Sequence, residues 1–384
     1  MGSYFLSHLH ALEGGVVGQI VVFLGVLSVV VFVHELGHFL VARWCGVRIL
    51  VFSLGFGPEL AGFNDRRGTR WKIAAIPLGG YVKFFGDENV ASASDGSALA
   101  TMDEKEKSQS FIGQSLPKRA AIVVAGPMAN FLLAIAIFAG TFMLYGKPTQ
   151  SSQTMSARVD AVVPDSPAAV AGFQPGDLVV SIAGQAIGNF ADMQRIVSES
   201  AGVTLAVTVE RNGGSIVLQA TPKAEKDMLG TPIGRLGIQG TIAPGSAQLE
   251  PVSPPQAVWL GLQETWAVID TTMSYIGGVV TGHRSPDQLS GPIGIARVVG
   301  RASTISSAIV IHIMAVISVS IGLLNLFPIP LLDGGHLLFY SIEALRGRPL
   351  SERAQEVGFR IGLAIVLMLM IFATFNDIVH LATS

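Results

Sequence analysis

Cysteine is nearly absent from this chain. Cys45 is the only one among 384 residues, which excludes an intramolecular disulfide and a metal cluster held by several thiolates, and leaves that thiol a packing role. Charge is scarce as well: Asp, Glu, Lys and Arg make up 14% of the residues against 50% hydrophobic ones. With a mean hydropathy of +0.54, that is too little charge for an ordinary soluble protein and points to several membrane spans. The formal net charge of −2 gives no electrostatic reason for a nucleic-acid partner. Lys and Arg are missing altogether before Arg43. The N-terminal part therefore lacks the basic segment of a cleavable signal peptide, and its apolar run is read as a retained helix.

That run, residues 16–33, carries no charge and has about the length at which a helix crosses the hydrocarbon core. It ends in His34-Glu35-Leu36-Gly37-His38. On a helix, His34 and His38 lie one turn apart on one face, where two imidazoles can hold one metal ion, and Glu35 beside them is placed to move a proton. This is the HExxH pattern of zinc peptidases, carried on an apolar helix. Ionisable groups this deep cost about 2.5–3.5 kcal/mol each, which favours a functional role over simple capping of the helix at the membrane surface.

Further spans are predicted at 120–145, at 308–326 and around 361–373. The stretch 255–282 is interrupted by Gln263, Glu264 and Asp270, and its apolar residues gather on one side, so an amphipathic, membrane-associated helix fits better than a span. The 25 Lys and Arg fall in three loops: 11 in residues 43–119, 10 in 146–307 and four in 339–360. Their density is higher in the first and last, which the positive-inside rule places in the cytoplasm with the middle region outside. The HExxH end of the first helix then lies near the cytoplasmic face.

Between the first two spans, 48–87 reads as extended chain around a turn at 65–68, with alternating apolar residues through 71–76. Two uses are open: a structural hairpin, or a sheet whose free edge pairs with an extended substrate. Residues 89–109 are rich in Ser, Ala and acids without periodicity, and read as a loop. Residues 154–241 read as a β-rich domain, with strands at 157–163, 178–182, 203–211 and 215–221 around a helix at 190–198. Within it, the run from Ser166 to Gly172, Pro175-Gly176-Asp177 and Gly234-Arg235-Leu236-Gly237-Ile238 resemble the PDZ domains of bacterial proteases, which implies a peptide groove. A spacer that has lost its groove is the alternative.

Catalytic zinc takes three protein ligands and keeps a fourth position open. His8, His10, His283 and His380 fall on the outer side. His312 lies within the third span, 21 residues before Asp333, about 30 Å along a helix. Asp333 follows the helix-breaking Pro328 and Pro330 at the inner end and reaches the face of the HExxH. It is the third ligand by this argument, with His336 second.

His34-Glu-Leu-Gly-His38 together with Asn325, Pro328 and Asp333-Gly334 resembles the site-2 protease family of intramembrane zinc metalloproteases. The runs from Gly79 to Lys83, Gly126-Pro127 with Asn130, and Ser290 to Ile293 narrow the likeness to the bacterial branch that cleaves anti-sigma factors, the regulator-of-sigma-E protease type. Well-known members of that branch carry two PDZ domains, and this chain has room for one. The resemblance implies a polytopic α-helical membrane protein of about four transmembrane helices, with a membrane-associated β-hairpin or sheet and one β-rich PDZ domain. Its parts would be 1–145, 154–241, 255–305 and 306–384. It implies Zn2+ on His34, His38 and Asp333, catalysis by Glu35, and substrate binding by Asn325, Asn130, Gly79, Gly80, Tyr81, Val82 and Pro328. The implied partners are transmembrane protein substrates such as anti-sigma factors or signal-peptide remnants, a peptide or protein ligand of the PDZ domain, and the lipid bilayer of the bacterial inner membrane. A scaffold with a decayed site and a metal transporter are the rivals. The intact His34, Glu35, His38 and Asp333 oppose the first, and the lack of an internal repeat opposes the second.

Overall fold

The computed structural model describes residues 16–86, 102–148, 157–226, 232–239, 249–282 and 291–382. The readings for His8, His10, His283, Ser290 and the 89–109 loop as far as residue 101 lie outside the described residues. Helix α1 (Val16–Trp44) leads into strands β1 (Ile49–Asn64) and β2 (Arg70–Phe84), the short helix α2 (Glu104–Gln109) and helix α3 (Leu116–Tyr145). A β-rich stretch follows: β3 (Lys147–Pro148), β4 (Ala161–Val162), α4 (Pro167–Ala171), β5 (Leu178–Ile182), β6 (Gln185–Ala186), α5 (Phe190–Glu199), β7 (Leu205–Arg211) and β8 (Gly214–Ala220). It ends with β9 (Lys223–Lys226), β10 (Pro232–Arg235), β11 (Ile238–Gln239) and β12 (Leu249–Glu250). Five helices close the chain: α6 (Pro254–Val280), α7 (Pro292–Ile305), α8 (Ser307–Asn325), α9 (Asp333–Arg346) and α10 (Glu352–Ala382). The chain forms two compact units, one of Met1–Thr141 with Pro254–Leu381, the other of Phe142–Ser253 with the last residues.

In the first unit, α1, α3, α8 and α10 are long and apolar enough to cross a membrane. The shortest, α8, has 19 residues and so spans about 28 Å, close to the hydrocarbon thickness. Helix α6 is not among them. It buries Ala257, Gly261 and Thr265, one small residue per turn, and Gly261 lies against the Ile135 carbonyl and Ala139 of α3; such small-residue stripes let helices approach closely in membranes. Trp259, Leu262 and Trp266 stay exposed elsewhere on the same helix. Helix α7 has no cap of its own. Asp377 of α10 supplies one, accepting the N–H groups of Gly291 and Gly294 at 2.9 Å each.

The region read as extended chain around a turn, with a structural hairpin and a sheet with a free edge both open, folds further than a single hairpin. Phe52 lies opposite both Val82 and Trp71, and Leu54 opposite both Gly80 and Ile73, while Phe63 pairs with Trp71 again. The first half of β1 is thus flanked on both sides by β2, and 80–84 becomes an outer edge. Gly55 and Gly57 hold φ of +92° and +87°, which lets β1 bend between its two pairings. Phe39 of α1 packs edge-on against Phe52 and Trp71, whose rings stack at 4.3 Å, fixing the sheet to the helix that carries the histidines. Helix α2 replaces the loop expected through residue 109. Asp103 accepts the Glu106 N–H and the Glu106 carboxylate accepts the Asp103 N–H, a reciprocal cap that holds even a single turn and a half.

In the second unit, a four-stranded antiparallel sheet runs β6-β5-β7-β8, and α5 is capped by Asn189. Its core is Val159, Val179, Ile182, Val207 and Val209, all at most 1% exposed. The strand expected at 157–163 shortens to β4, because the chain before it is tied to the 176–179 turn: Val159 N–H donates to the Asp177 carbonyl and Val179 N–H to the Ala157 carbonyl, each at 2.8 Å. Strands β3 and β12 pair, with Lys147 opposite Glu250 and Pro148 opposite Leu249, so the chain enters and leaves this unit side by side.

Candidate metal centre

Helix α1 sets His34 and His38 one turn apart with their rings nearly perpendicular and their Nε2 atoms 3.2 Å apart. Both rings are buried. The carboxylate of Asp333, the first residue of α9, brings Oδ2 to 3.2 Å from His34 Nε2 and 3.6 Å from His38 Nε2. Three ligand atoms bound tetrahedrally to zinc at about 2.0–2.1 Å are about 3.3–3.4 Å apart, so these separations match one ion at their centre. Asp333 Oδ2 has no hydrogen-bond partner although it is buried; a buried carboxylate oxygen left without one needs a cation. Chemistry and spacing of the donors therefore fit zinc. Among the described residues this is the group of His, Cys, Asp and Glu that can hold a metal.

The approach of three elements depends on glycine. A methyl group on Gly37 would overlap the Ala125 carbonyl of α3, and one on Gly126 would overlap His38 Nε2. Only bare backbone lets α1 and α3 close around the imidazoles. Gly334 and Gly335 press against the carbonyls of Leu326, Phe327 and Ile329 in the same way, which seats the start of α9 against the irregular turn that follows α8. His38 Nδ1 donates to the Ile122 carbonyl at 2.8 Å, directing its Nε2 toward Asp333. Arg119 of α3 lies 5.0 Å over the Tyr340 ring and 2.5 Å from Glu343, tying α9 to α3 close to the site.

A cavity of about 250 Å³ opens on these groups. Glu35, Gly80, Tyr81, Val82, Asn325 and His336 share its wall with the three ligand residues, and Phe84, Phe111, Ile122 and Tyr340 add to it. Gly80 is so close to α1 that a Cβ there would stand 3.0 Å from Glu35 Cγ. Of the residues assigned to substrate by resemblance, Gly79, Pro328 and Asn130 are not part of this wall. Asn130 is fully buried behind His34. His336 faces the cavity but lies outside the ligand group, and His312 packs on Phe138 with ring centroids 5.2 Å apart. The Ile122 carbonyl, Gly37 and Tyr340 carry no sequence signal of their own; only the helix packing gives them a place at the site.

Two histidines and a carboxylate around one ion position, with a glutamate beside them in a bundle of membrane-spanning helices, define a metallopeptidase of the membrane interior. Residues 22–369 match the model of peptidase family M50. The chain is 50% identical over 377 residues to a candidate zinc metalloprotease of Agrobacterium fabrum, covering 97% of this chain and 99% of that one. It is 49% identical to a protein so named in Rhizobium meliloti, over 93% of this chain and 95% of that one. With the metalloprotease MmpA of Caulobacter vibrioides it shares 41% identity, over 94% and 95% of the two chains. The solved PDZ domain of an SdrC-like protein from Listeria monocytogenes is similar at 25% identity over 22% of this chain and 85% of that one, with a TM-score of 0.19 that is too low to bear on the fold. The chain belongs to peptidase family M50, the site-2 proteases. It is a membrane-embedded zinc metalloendopeptidase.

Proposed function

We propose that this protein hydrolyses peptide bonds within or beside the transmembrane segments of single-span membrane proteins. The observation that carries the reading is one cavity, among membrane-spanning helices, shared by His34, Glu35, His38, Asp333 and the outer edge of β2. His34, His38 and Asp333 hold the zinc ion, which when bound polarises a carbonyl and lowers the pKa of water toward neutrality. Glu35 takes the proton of the attacking water as the new C–O bond forms and delivers it to the nitrogen as the C–N bond breaks. Asn325, on the wall, donates its amide N–H to a substrate carbonyl. A substrate helix has its own backbone groups paired, so it must unwind before attack. Gly80, Tyr81 and Val82 receive the unwound segment as an added strand, with Gly79 and Pro328 shaping the frame around it.

The β-rich unit is read as one PDZ domain within 154–241. A groove of about 370 Å³ runs between α5, through Phe190, Met193 and Val197, and the segment 233–238; its occupant is an extended peptide. The distribution of Lys and Arg supports an orientation with the metal near the cytoplasmic face and this domain outside, and the family resemblance supports the bacterial inner membrane. The family resemblance supports anti-sigma factors or signal-peptide remnants as substrates. The full-length protein in lipid nanodiscs, incubated with single-span proteins of differing transmembrane sequence, tests the reading. Cleavage inside the span, located by mass spectrometry, should stop on chelation and return with zinc. Cutting confined to soluble unfolded chains would overturn it.

A further inference from the structure

His38 has an acceptor for its second ring nitrogen, the Ile122 carbonyl. The second nitrogen of His34 faces Asn130, whose Nδ2 is 3.3 Å from His34 Nδ1. With His34 Nε2 turned toward His38 and Asp333, the metal-binding lone pair is on Nε2, and the proton of the neutral ring is on Nδ1. Nδ1 is then a donor, and an NH2 group cannot accept from it. The Asn130 carbonyl oxygen Oδ1, on the same amide, is buried without a partner. A half-turn of that amide exchanges oxygen for nitrogen at nearly constant shape, and the hydrogen-bond network decides between the two. The turned form replaces a donor–donor clash and an orphaned acceptor with a single unpaired NH2.

We infer that Asn130 is the positioning residue of His34, with its Oδ1 accepting the Nδ1–H and so fixing the tautomer and ring plane that point Nε2 at the zinc. Its own placement is firm. The Ser318 hydroxyl of α8 donates to the Asn130 main-chain carbonyl at 2.8 Å, and Gly322 leaves room for little more than the Asn130 Cβ, which a methyl there would meet at 3.2 Å. Asn130 therefore serves the metal and does not touch substrate, in contrast to the role implied by resemblance. Each imidazole then donates to a carbonyl oxygen of α3, from Ile122 for His38 and from Asn130 for His34.

The inference rests on the reading of His34 as a zinc ligand, and the experiment separates the two. Zinc affinity of the full-length protein in nanodiscs is measured by competition with a chromogenic chelator, for the parent and for His34→Ala, Asn130→Leu and Asn130→Asp. Outer partners of zinc-binding histidines are worth about 10–100-fold in affinity, so Asn130→Leu should lose that much. Asn130→Asp, which keeps an acceptor and gives up the NH2, should bind at least as tightly as the parent. Full zinc binding by His34→Ala sinks the ligand reading itself. If His34→Ala loses zinc while Asn130→Leu stays within threefold of the parent, or Asn130→Asp is as weak as Asn130→Leu, the Asn130 inference alone is wrong. Should Asn130→Leu not fold, 15N-histidine NMR of the zinc-loaded parent and of Asn130→Asp decides. The His34 Nδ1 proton should move downfield with the carboxylate acceptor, and an unmoved signal overturns the inference.

Discussion

At Gly126, anything larger than hydrogen meets the metal site. A methyl there would overlap His38 Nε2 and stand 2.9 Å from His34 Cε1, whereas one at Gly140, later in the same helix, has nothing within 4 Å. Gly126→Ala should therefore weaken zinc binding at least tenfold, and Gly140→Ala should leave it unchanged while stabilising the helix by up to about 1 kcal/mol. Chelator competition on the two purified variants checks both. Glu35 makes the complementary case, because Glu35→Gln keeps the shape and loses the basicity. Zinc content should stay at the parent level while turnover drops by about 10²–10⁴-fold, the usual worth of a general base; normal proteolysis by this variant would falsify the role. The two histidines were readable from the chain because they sit one helical turn apart at the end of a charge-free run. The place of Asp333 needed the further argument that α1 and α8 end at one face. The duties of Gly126 and of the Ile122 carbonyl were not readable, since they arise only where two helices touch.

The β element shows how far patterning carries and where it stops. Alternation and the turn at Asp65, whose carboxylate accepts the Arg67 and Thr69 N–H groups at 2.8 and 3.0 Å, announce a hairpin. The double flanking of β1 does not show in the pattern, because it depends on bends at Gly55 and Gly57 and on Trp71 finding Phe39 and Phe52. That folding leaves 80–84 as an edge against Glu35. Val82→Pro should cut turnover at least tenfold with zinc still bound, since proline supplies no ladder donor; unchanged turnover would reduce the element to a structural hairpin. In the β-rich unit, Asp177 sets a pH dependence. Burial pushes its carboxyl up, but the Arg211 guanidinium, at 2.6 and 2.8 Å, and the Gln174 N–H outweigh this and leave it below the ordinary carboxylate range. A carboxyl more acidic when folded contributes stability that is complete above its unfolded value of about 3.9 and is lost as pH falls below it. The Tm of this unit, followed as its own calorimetric transition, should fall on acidification below about pH 4. Asp177→Asn should lower it at neutral pH and flatten the acid limb.

At the scale of the molecule, the pairing of β3 with β12 makes the β-rich unit an insertion between α3 and α6. Lys147 and Glu250 face each other across the pair and are joined by an ion pair at 3.3 Å. Two antiparallel strands in that register can be closed by a two-residue turn, so the unit can be removed without separating the ends it leaves behind. Replacing residues 149–248 by Asn-Gly should give a protein that still inserts and still binds zinc through His34, His38 and Asp333, because every ligand and its supports belong to the other unit. The unit offers a peptide-sized groove but takes no part in the metal site. We propose that this unit acts as a size filter, refusing membrane proteins that carry bulky extramembrane domains and admitting trimmed ones. A single-span substrate with its outer domain intact, refused by the parent, should be cleaved by the shortened protein at the rate of its trimmed form. If the intact substrate stays uncut while the trimmed one is processed, the insertion is not the gate, and selection by size has to lie in the helices around the cavity.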